Sequence, residues 1–282
     1  MIKHNIYLCS FASPDLKESR KRFLKSAKSL KLYKKIKIYG HNDLTNFLKK
    51  RINKRLSVNE LRGYGYWCWK PYIIKKFSET LPKNSIIQYL DIGFEINRRG
   101  LKNLEKYIDI VKKKNFLTFK YFKPKNFNEN YKYQVYREYE YTKKDIFSDF
   151  NLKLTSPIIK DYQIVSGILF FKNNMKSKKI LEIWKKKLLN EVLVDDTTSF
   201  KKNHKKFIQN RHDQSFFSII CKLNNVFSLS ASDEFEYVHY KNKIYWDHLK
   251  NKPFLAKRLK NRSFINNIKR IPFFLKKKFN NF

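Results

Sequence analysis

The chain has 282 residues, with 63 Lys and Arg against 24 Asp and Glu, and a formal net charge of +39 at pH 7. Hydrophobic residues make up 42% and aromatics 17%, enough for a packed core, which excludes a disordered polycation. The 51 Lys outnumber the 12 Arg, and Asn and Ile are abundant, as AT-rich coding produces. The charge therefore points to anionic partners in general (lipid, nucleotide phosphate, acidic glycan) and only weakly to nucleic acid.

Residues 6–11 read as a first strand, too brief an apolar stretch for a signal peptide. Ser13-Pro14 then caps and opens a helix to about residue 30. Residues 36–39 alternate as a strand and close on Gly40, and a polar helix is expected over about 43–50. Residues 62–72 read Arg-Gly-Tyr-Gly-Tyr-Trp-Cys-Trp-Lys-Pro-Tyr and hold two of the six glycines and two of the four tryptophans. Gly63 and Gly65 permit a positive φ there, and a helix follows over 71–77. The near-continuous apolar run 85–90 predicts a strand covered on both faces, as in a parallel sheet, and it ends on Asp91. A helix over 101–113 and a strand over 116–119 complete the first part.

Residues 120–160 are irregular, tyrosine-rich and charged, the composition of a substrate loop. Residues 163–171 form another buried strand, interrupted by Ser166-Gly167, and amphipathic helices follow over 175–190 and 211–223. Strands alternating with helices predict an α/β fold with a mostly parallel sheet, which binds ligands beyond the strand carboxyl ends. From about residue 241 the composition shifts: residues 241–282 carry 13 Lys and Arg and one acid, Asp247. That segment, 243–282, is expected to be a basic amphipathic helical tail lying on an anionic membrane, with 1–242 as the main domain. Cys9, Cys68 and Cys221 are odd in number and widely spaced, so buried free thiols and a reducing, cytoplasmic setting are expected. No stretch reaches the ~20 apolar residues of a membrane span.

Several residues are candidates for chemistry. Tyr66, Trp67 and Trp69 offer stackable faces, and Arg62 and Lys70 are phosphate-seeking cations. Asp91, at a strand end, can hold a divalent cation that neutralises a diphosphate. Ser166-Gly167 within a strand marks a close approach, with Gln163 near it. Arg211-His212-Asp213-Gln214-Ser215 gathers five polar side chains at a helix start, where capping accounts for only one of them. His239 is of interest only in combination with Asp91, because imidazole plus carboxylate suits Mn²⁺. No phosphate-binding glycine loop or nucleophile elbow is present.

The order of these motifs resembles bacterial nucleotide-sugar glycosyltransferases of the GT-A fold that build surface polysaccharide or lipo-oligosaccharide. They run from the Gly-Tyr-Gly-Tyr-Trp-x-Trp-Lys-Pro-Tyr run through Tyr-Leu-Asp-x-Gly, Ser-Gly-Ile and Arg-His-Asp-Gln-Ser to the late His, over about residues 1–242. The resemblance implies a single GT-A-like domain with a Rossmann-like central sheet flanked by helices. It implies a UDP-linked donor, a glycan or glycolipid acceptor, and Mn²⁺ or Mg²⁺. Asp91 matches the first acid of the family's Asp-x-Asp motif, and Gly93 stands where many members carry the second. Ser166 and Gly167 match the segment lining the donor sugar, Asp213 and Gln214 match the pair near the reacting carbon, and His239 looks like the late metal-binding His of retaining members. With these, Gln163 and His212 are expected in the substrate site. Competing readings are a basic nucleic-acid-binding protein, against which the Lys excess and the lack of a binding motif both count, and a membrane-associated scaffold without activity.

Overall fold

The computed structural model describes residues 5–57, 62–124 and 127–261. Six strands form the central sheet: β1 Ile6–Phe11, β2 Lys35–Tyr39, β3 Ile86–Leu90, β4 Phe116–Lys120, β5 Ile168–Lys172 and β6 Phe227–Ser230, in the order β2-β1-β3-β5-β4-β6. β1 pairs in parallel with β2 and β3, and β4 with β6; β5 runs antiparallel to both β3 and β4. The sheet is thus mostly parallel with one strand reversed.

Alternation along the strands feeds two separate cores. Tyr7, Cys9 and Phe11 of β1 face one side with Ile87, Tyr89, Leu169 and Phe171; Ile6 and Leu8 face the other with Ile86, Leu90, Ile168 and Phe170. Both faces are buried, which is why these strands read as unbroken apolar runs. The first core is closed by α3 Lys70–Glu79, α5 Met175–Lys187 and α6 Asp213–Leu223, following α1 Lys17–Ser29, α2 Asn46–Ser57 and, in chain order, α4 Leu101–Lys114. α1 and α4 close the second through Phe23, Ala27, Leu104, Ile108 and Val111. α2 lies later than the helix expected over 43–50, because a 3₁₀ turn takes up residues 41–43. Asn174 caps α5 by accepting from the Ser177 amide, and Asn115, at φ 66°, ends α4 in the left-handed region that favours Asn.

Residues 243–261 are not the helical tail expected for them. Lys243–Tyr245 pairs antiparallel with Val238–Tyr240, so a boundary at 242 would cut a hairpin. Phe254–Leu255 pairs with Glu95–Ile96, and Leu249, Phe254 and Leu255 are buried. Those apolar anchors override the basic composition that suggested a surface helix. Residues 262–282, the rest of the expected tail, lie outside the described residues. Among the described residues no helix is long and apolar enough to cross a membrane.

Gly100 shows how closely this segment is held. A Cβ there would lie 2.2 Å from the Lys252 carbonyl carbon and from the Pro253 nitrogen, both backbone atoms that cannot swing away. Gly100→Ala is therefore expected to cost about 2–3 kcal/mol, read as a lower urea midpoint at unchanged m-value.

Candidate active site

Reversal of β5 creates the cleft. Because β5 runs against β3, its first residue Ile168 lies opposite Leu90, the last of β3. The segments Asp91-Ile92-Gly93 and Ser166-Gly167 therefore meet at one edge of the sheet, where the Asp91 amide donates to the Gly167 carbonyl at 2.8 Å. A Cβ on Gly167 would come within 2.7 Å of Asp91 Oδ2, so any larger residue there would push the Asp91 carboxylate aside. Arg22 of α1 fixes the loop beneath, donating to the carbonyls of Ile92 at 2.7 Å and Phe94 at 3.0 Å.

Three charges form the floor. Lys70 Nζ lies 3.0 Å from Asp213 Oδ2 and 3.5 Å from Asp91 Oδ1, and donates to Ser166 Oγ at 3.2 Å. Lys70 opens α3 and Asp213 opens α6, and both are buried. Ser166 Oγ also donates to Asp213 Oδ2 at 2.9 Å, and Tyr89 Oη to Asp91 Oδ1 at 2.6 Å. Burial acts to lower the Lys70 pKa, but Asp213 and Asp91 outweigh it and hold the ammonium above its ordinary value. Burial pushes the Asp213 carboxyl up to about 6, with Asp91 acting the same way and Lys70 and Ser166 opposing. Near neutral pH, two carboxylates thus share one ammonium.

A buried relay stands behind this floor. The Ser166 amide donates to Gln214 Oε1 at 3.3 Å, and Gln214 Nε2 donates to Gln163 Oε1 at 2.7 Å. Gln163 is fully buried and donates in turn to Glu138, Tyr141 and Thr142. Gln163 therefore sits behind the cleft wall and does not line it. Trp184 Nε1 donates to the Asp213 carbonyl at 3.0 Å and packs on Phe217, setting the start of α6.

The aromatic run forms a turn of unusual hand. Gly63, Tyr64, Gly65, Tyr66 and Trp67 all have positive φ, at 58°, 53°, 87°, 54° and 57°, and the amides of Tyr66 and Trp67 donate to the carbonyls of Arg62 and Gly63. This is one turn of left-handed helix, which costs a non-glycine residue about 1–2 kcal/mol at each position. Packing offsets the strain. Trp69 stacks on Phe11 at 3.9 Å and donates to the Gly63 carbonyl, Tyr66 lies between Arg55 and His212, and Trp67 stacks on His212 at 5.7 Å. Such strain, held in place by its surroundings, is characteristic of functional segments.

The resulting cleft has a volume of about 800 Å³. Arg62, Trp67, Trp69, Lys70, Asp91, Gly93, Ser166, Gly167, His212, Asp213 and Gln214 all border it. Tyr66 does not, since it is buried under the turn; Tyr64 takes the open position, with its hydroxyl 2.9 Å from His41 Nδ1. Tyr121, Arg211, Glu236, Arg258 and Lys260 also border the cleft, with Arg258 paired to Glu236 at 3.0 Å, and among these only Arg211 belongs to a motif visible in the sequence. Arg62 at the rim is already paired with Asp196 at 3.2 Å.

His239 lies on the Val238–Tyr240 strand of a separate three-stranded sheet, beside Lys132 and Ile244, and does not border the cleft with Asp91. Among the described residues no group of three or more His, Cys, Asp or Glu is placed to hold a metal ion. The second position of an Asp-x-Asp pair holds Gly93, in tight surroundings. A Cβ on Gly93 would meet the Arg258 Cα at 3.3 Å, and the Gly93 carbonyl accepts from the Leu259 amide. The residues present do not fit a divalent-metal centre.

His212 serves the turn. It has φ 54° and ψ −123°, a strained conformation, and its Nδ1 lies 2.7 Å from the Val194 carbonyl, which sets Nδ1 as the protonated nitrogen. Burial, together with nearby Arg62 and Lys143 and against Val194 and Asp196, lowers its pKa to about 4. A His whose folded pKa is depressed contributes stability above its unfolded pKa of 6.5 and loses it as pH falls through about 4. The loss is about 3 kcal/mol. His212→Gln is expected to remove this acid limb, so urea midpoints of variant and wild type between pH 7 and pH 4 should diverge. The raised Asp213 pKa is common to both proteins and cancels in the comparison.

The architecture is one Rossmann-like, mostly parallel sheet flanked by helices, with a cleft at the strand ends. Three solved structures are similar to it. One is a glycosyltransferase involved in glycosylation of the major capsid of PBCV-1, at 12% identity over 95% of this chain and 99% of that one, TM-score 0.49. The mouse xyloside xylosyltransferase 1 follows at 14% identity over 82% and 87%, TM-score 0.41. The galactosyltransferase LgtC, in complex with donor and acceptor sugar analogues, is at 10% identity over 82% and 75%, TM-score 0.42. The sequence matches no protein-family model and no curated protein.

Proposed function

We propose that this protein is a glycosyltransferase that moves a sugar from a UDP-linked donor to a glycan or glycolipid acceptor, with retention of anomeric configuration. The observation that carries the reading is the Asp91–Lys70–Asp213 floor set below aromatic and guanidinium walls. Trp67 or Tyr64 stacks on the base, and Arg211, Arg258 and Lys260 meet the diphosphate across the cleft. The bond between the sugar C1 and the diphosphate oxygen breaks, and the diphosphate leaves with the electron pair. Positive charge developing on the sugar is stabilised by the Asp213 carboxylate, and negative charge on the leaving group by the facing cations. The acceptor hydroxyl forms the new bond to C1 and passes its proton to the departing phosphate oxygen. Asp213 is buried and already bonded to Lys70 and Ser166, so it is placed to stabilise charge more than to take that proton.

In this reading the reaction takes place in the cytoplasm, with peripheral attachment to the inner face of the membrane as a further part of the proposal. The three buried free thiols and the net charge of +39 support this reading. The test is a panel of UDP-sugars incubated with the full chain, reading UDP release and, by NMR, the anomeric configuration of the product. Release of UDP from at least one donor with the anomer retained is expected. An inverted product would remove the retaining step, and neither binding nor turnover of any nucleotide-sugar would remove the transferase reading.

A further inference from the structure

We infer that the Lys70 ammonium is the resident cation of this cleft, standing where a divalent ion would otherwise bridge Asp91 and Asp213, so that nucleotide-diphosphate binding here is independent of metal. The inference deepens the donor-binding reading above and rests on it.

The geometry carries it in three ways. First, the point between the two carboxylates is already filled: Nζ is 3.0 Å from one and 3.5 Å from the other, on a side chain that is 2% exposed. Second, the carboxylate oxygens facing that point are engaged. Asp91 Oδ1 accepts from Tyr89, and Asp213 Oδ2 from Ser166. Third, among the described residues no group of three or more His, Cys, Asp or Glu could hold a metal ion: Gly93 carries no side chain and is tightly surrounded, and His239 belongs to another sheet.

The electrostatic consequence is direct. A diphosphate entering the cleft meets the buried Asp213 carboxylate and the part-exposed one of Asp91, and like charges in a low-dielectric site repel strongly. Some cation must neutralise them before an anion can bind. Lys70 is covalently attached and buried, so it supplies that charge without recruitment from solution; Arg211, Arg258 and Lys260 border the same cleft, Arg258 in an ion pair with Glu236. Its position is fixed at the first turn of α3 by Pro71 behind it and by its own amide, which donates to the Trp67 carbonyl at 3.0 Å. The left-handed turn thus delivers the cation to the floor.

The experiment is calorimetric titration of the full chain with UDP, in excess EDTA and in excess Mn²⁺. Affinities that agree within about twofold are expected for the wild type. In Lys70→Met, UDP binding in EDTA is expected to weaken at least about tenfold, and added Mn²⁺ should restore much of it, because the vacated carboxylate pair then needs an external ion. Wild-type binding that appears only with Mn²⁺ overturns the inference and leaves the transferase reading standing. So does Lys70→Met binding UDP in EDTA as the wild type does. Absence of UDP binding under both conditions removes the transferase reading and this inference with it. If Lys70→Met does not fold, the wild-type comparison decides alone.

Discussion

Glu138→Ala is expected to destabilise the protein by about 3–5 kcal/mol, the cost of leaving a buried charge without its partner. Glu138 is fully buried inside the tyrosine-rich segment, and its carboxylate accepts from Lys222 Nζ at 2.6 Å, from Thr142 Oγ1 at 2.6 Å, from Gln163 Nε2 at 3.3 Å and from the Ser218 hydroxyl. Truncation leaves the Lys222 ammonium, which is 4% exposed, with only Asp161 at 3.8 Å and the Ile158 carbonyl, and removes one of the three acceptors of Gln163. The loss then passes along the relay. Gln163 orients Gln214, and Gln214 holds the Ser166 amide at the cleft wall. Chemical denaturation should show the stability loss, and UDP binding of the folded fraction should weaken with it. Glu138→Gln keeps the acceptor oxygen and should cost less. A loss below about 1 kcal/mol in Glu138→Ala would mean that water or rearrangement satisfies this network.

Asp213→Asn should reduce turnover by about a hundred- to a thousandfold while leaving the fold in place, as removal of one preorganised group at a developing charge does. The amide has the same shape, and the bond from Trp184 goes to the Asp213 backbone carbonyl, which the substitution does not touch. What is lost is the negative charge beside the reacting sugar and the stronger half of the Lys70 pairing. Donor turnover and the thermal midpoint together check this. Near-normal turnover would remove Asp213 from the chemistry, and a collapse in stability would make it structural. Asp91 remains paired with Lys70 in this variant, so UDP binding should fall much less than turnover.

Much of the scaffold was legible because burial on both faces leaves a plain mark: the runs of β1, β3 and β5 are apolar at every position or nearly so. Asp91, Ser166-Gly167 and Asp213 stood out because each breaks such a run or opens a helix, and the structure brings them together with Lys70. The direction of β5 was not legible, since a strand buried on both faces has the same pattern whichever way it runs. Yet that reversal is what sets Gly167 beside Asp91. Glu138 was hidden for a different reason: its partners Gln163, Ser218 and Lys222 are far away in sequence, and nothing in the run Tyr-Arg-Glu-Tyr-Glu-Tyr sets Glu138 apart from Glu140. The wall formed by Arg258 and Lys260 was obscured by the lysine-rich composition around it, in which the few buried anchors, Leu249, Phe254 and Leu255, look unremarkable. The expected pairing of His239 with Asp91 followed the fit of an imidazole and a carboxylate to Mn²⁺ and the order of the motifs, and the fold sets His239 on a different sheet from the strand that leads to Asp91.

The cleft draws its walls from stretches centred on residues 65, 91, 166, 213 and 258, and no two neighbours along the chain complete any part of it. Contacts of such wide sequence separation form late, because each closes a long loop before it brings any gain. A nascent or partly unfolded chain therefore lacks this cleft altogether. A nucleotide would recognise only the finished molecule, and at saturating concentration it would protect the whole chain, the 250–260 strap included, from proteases that act on opened forms.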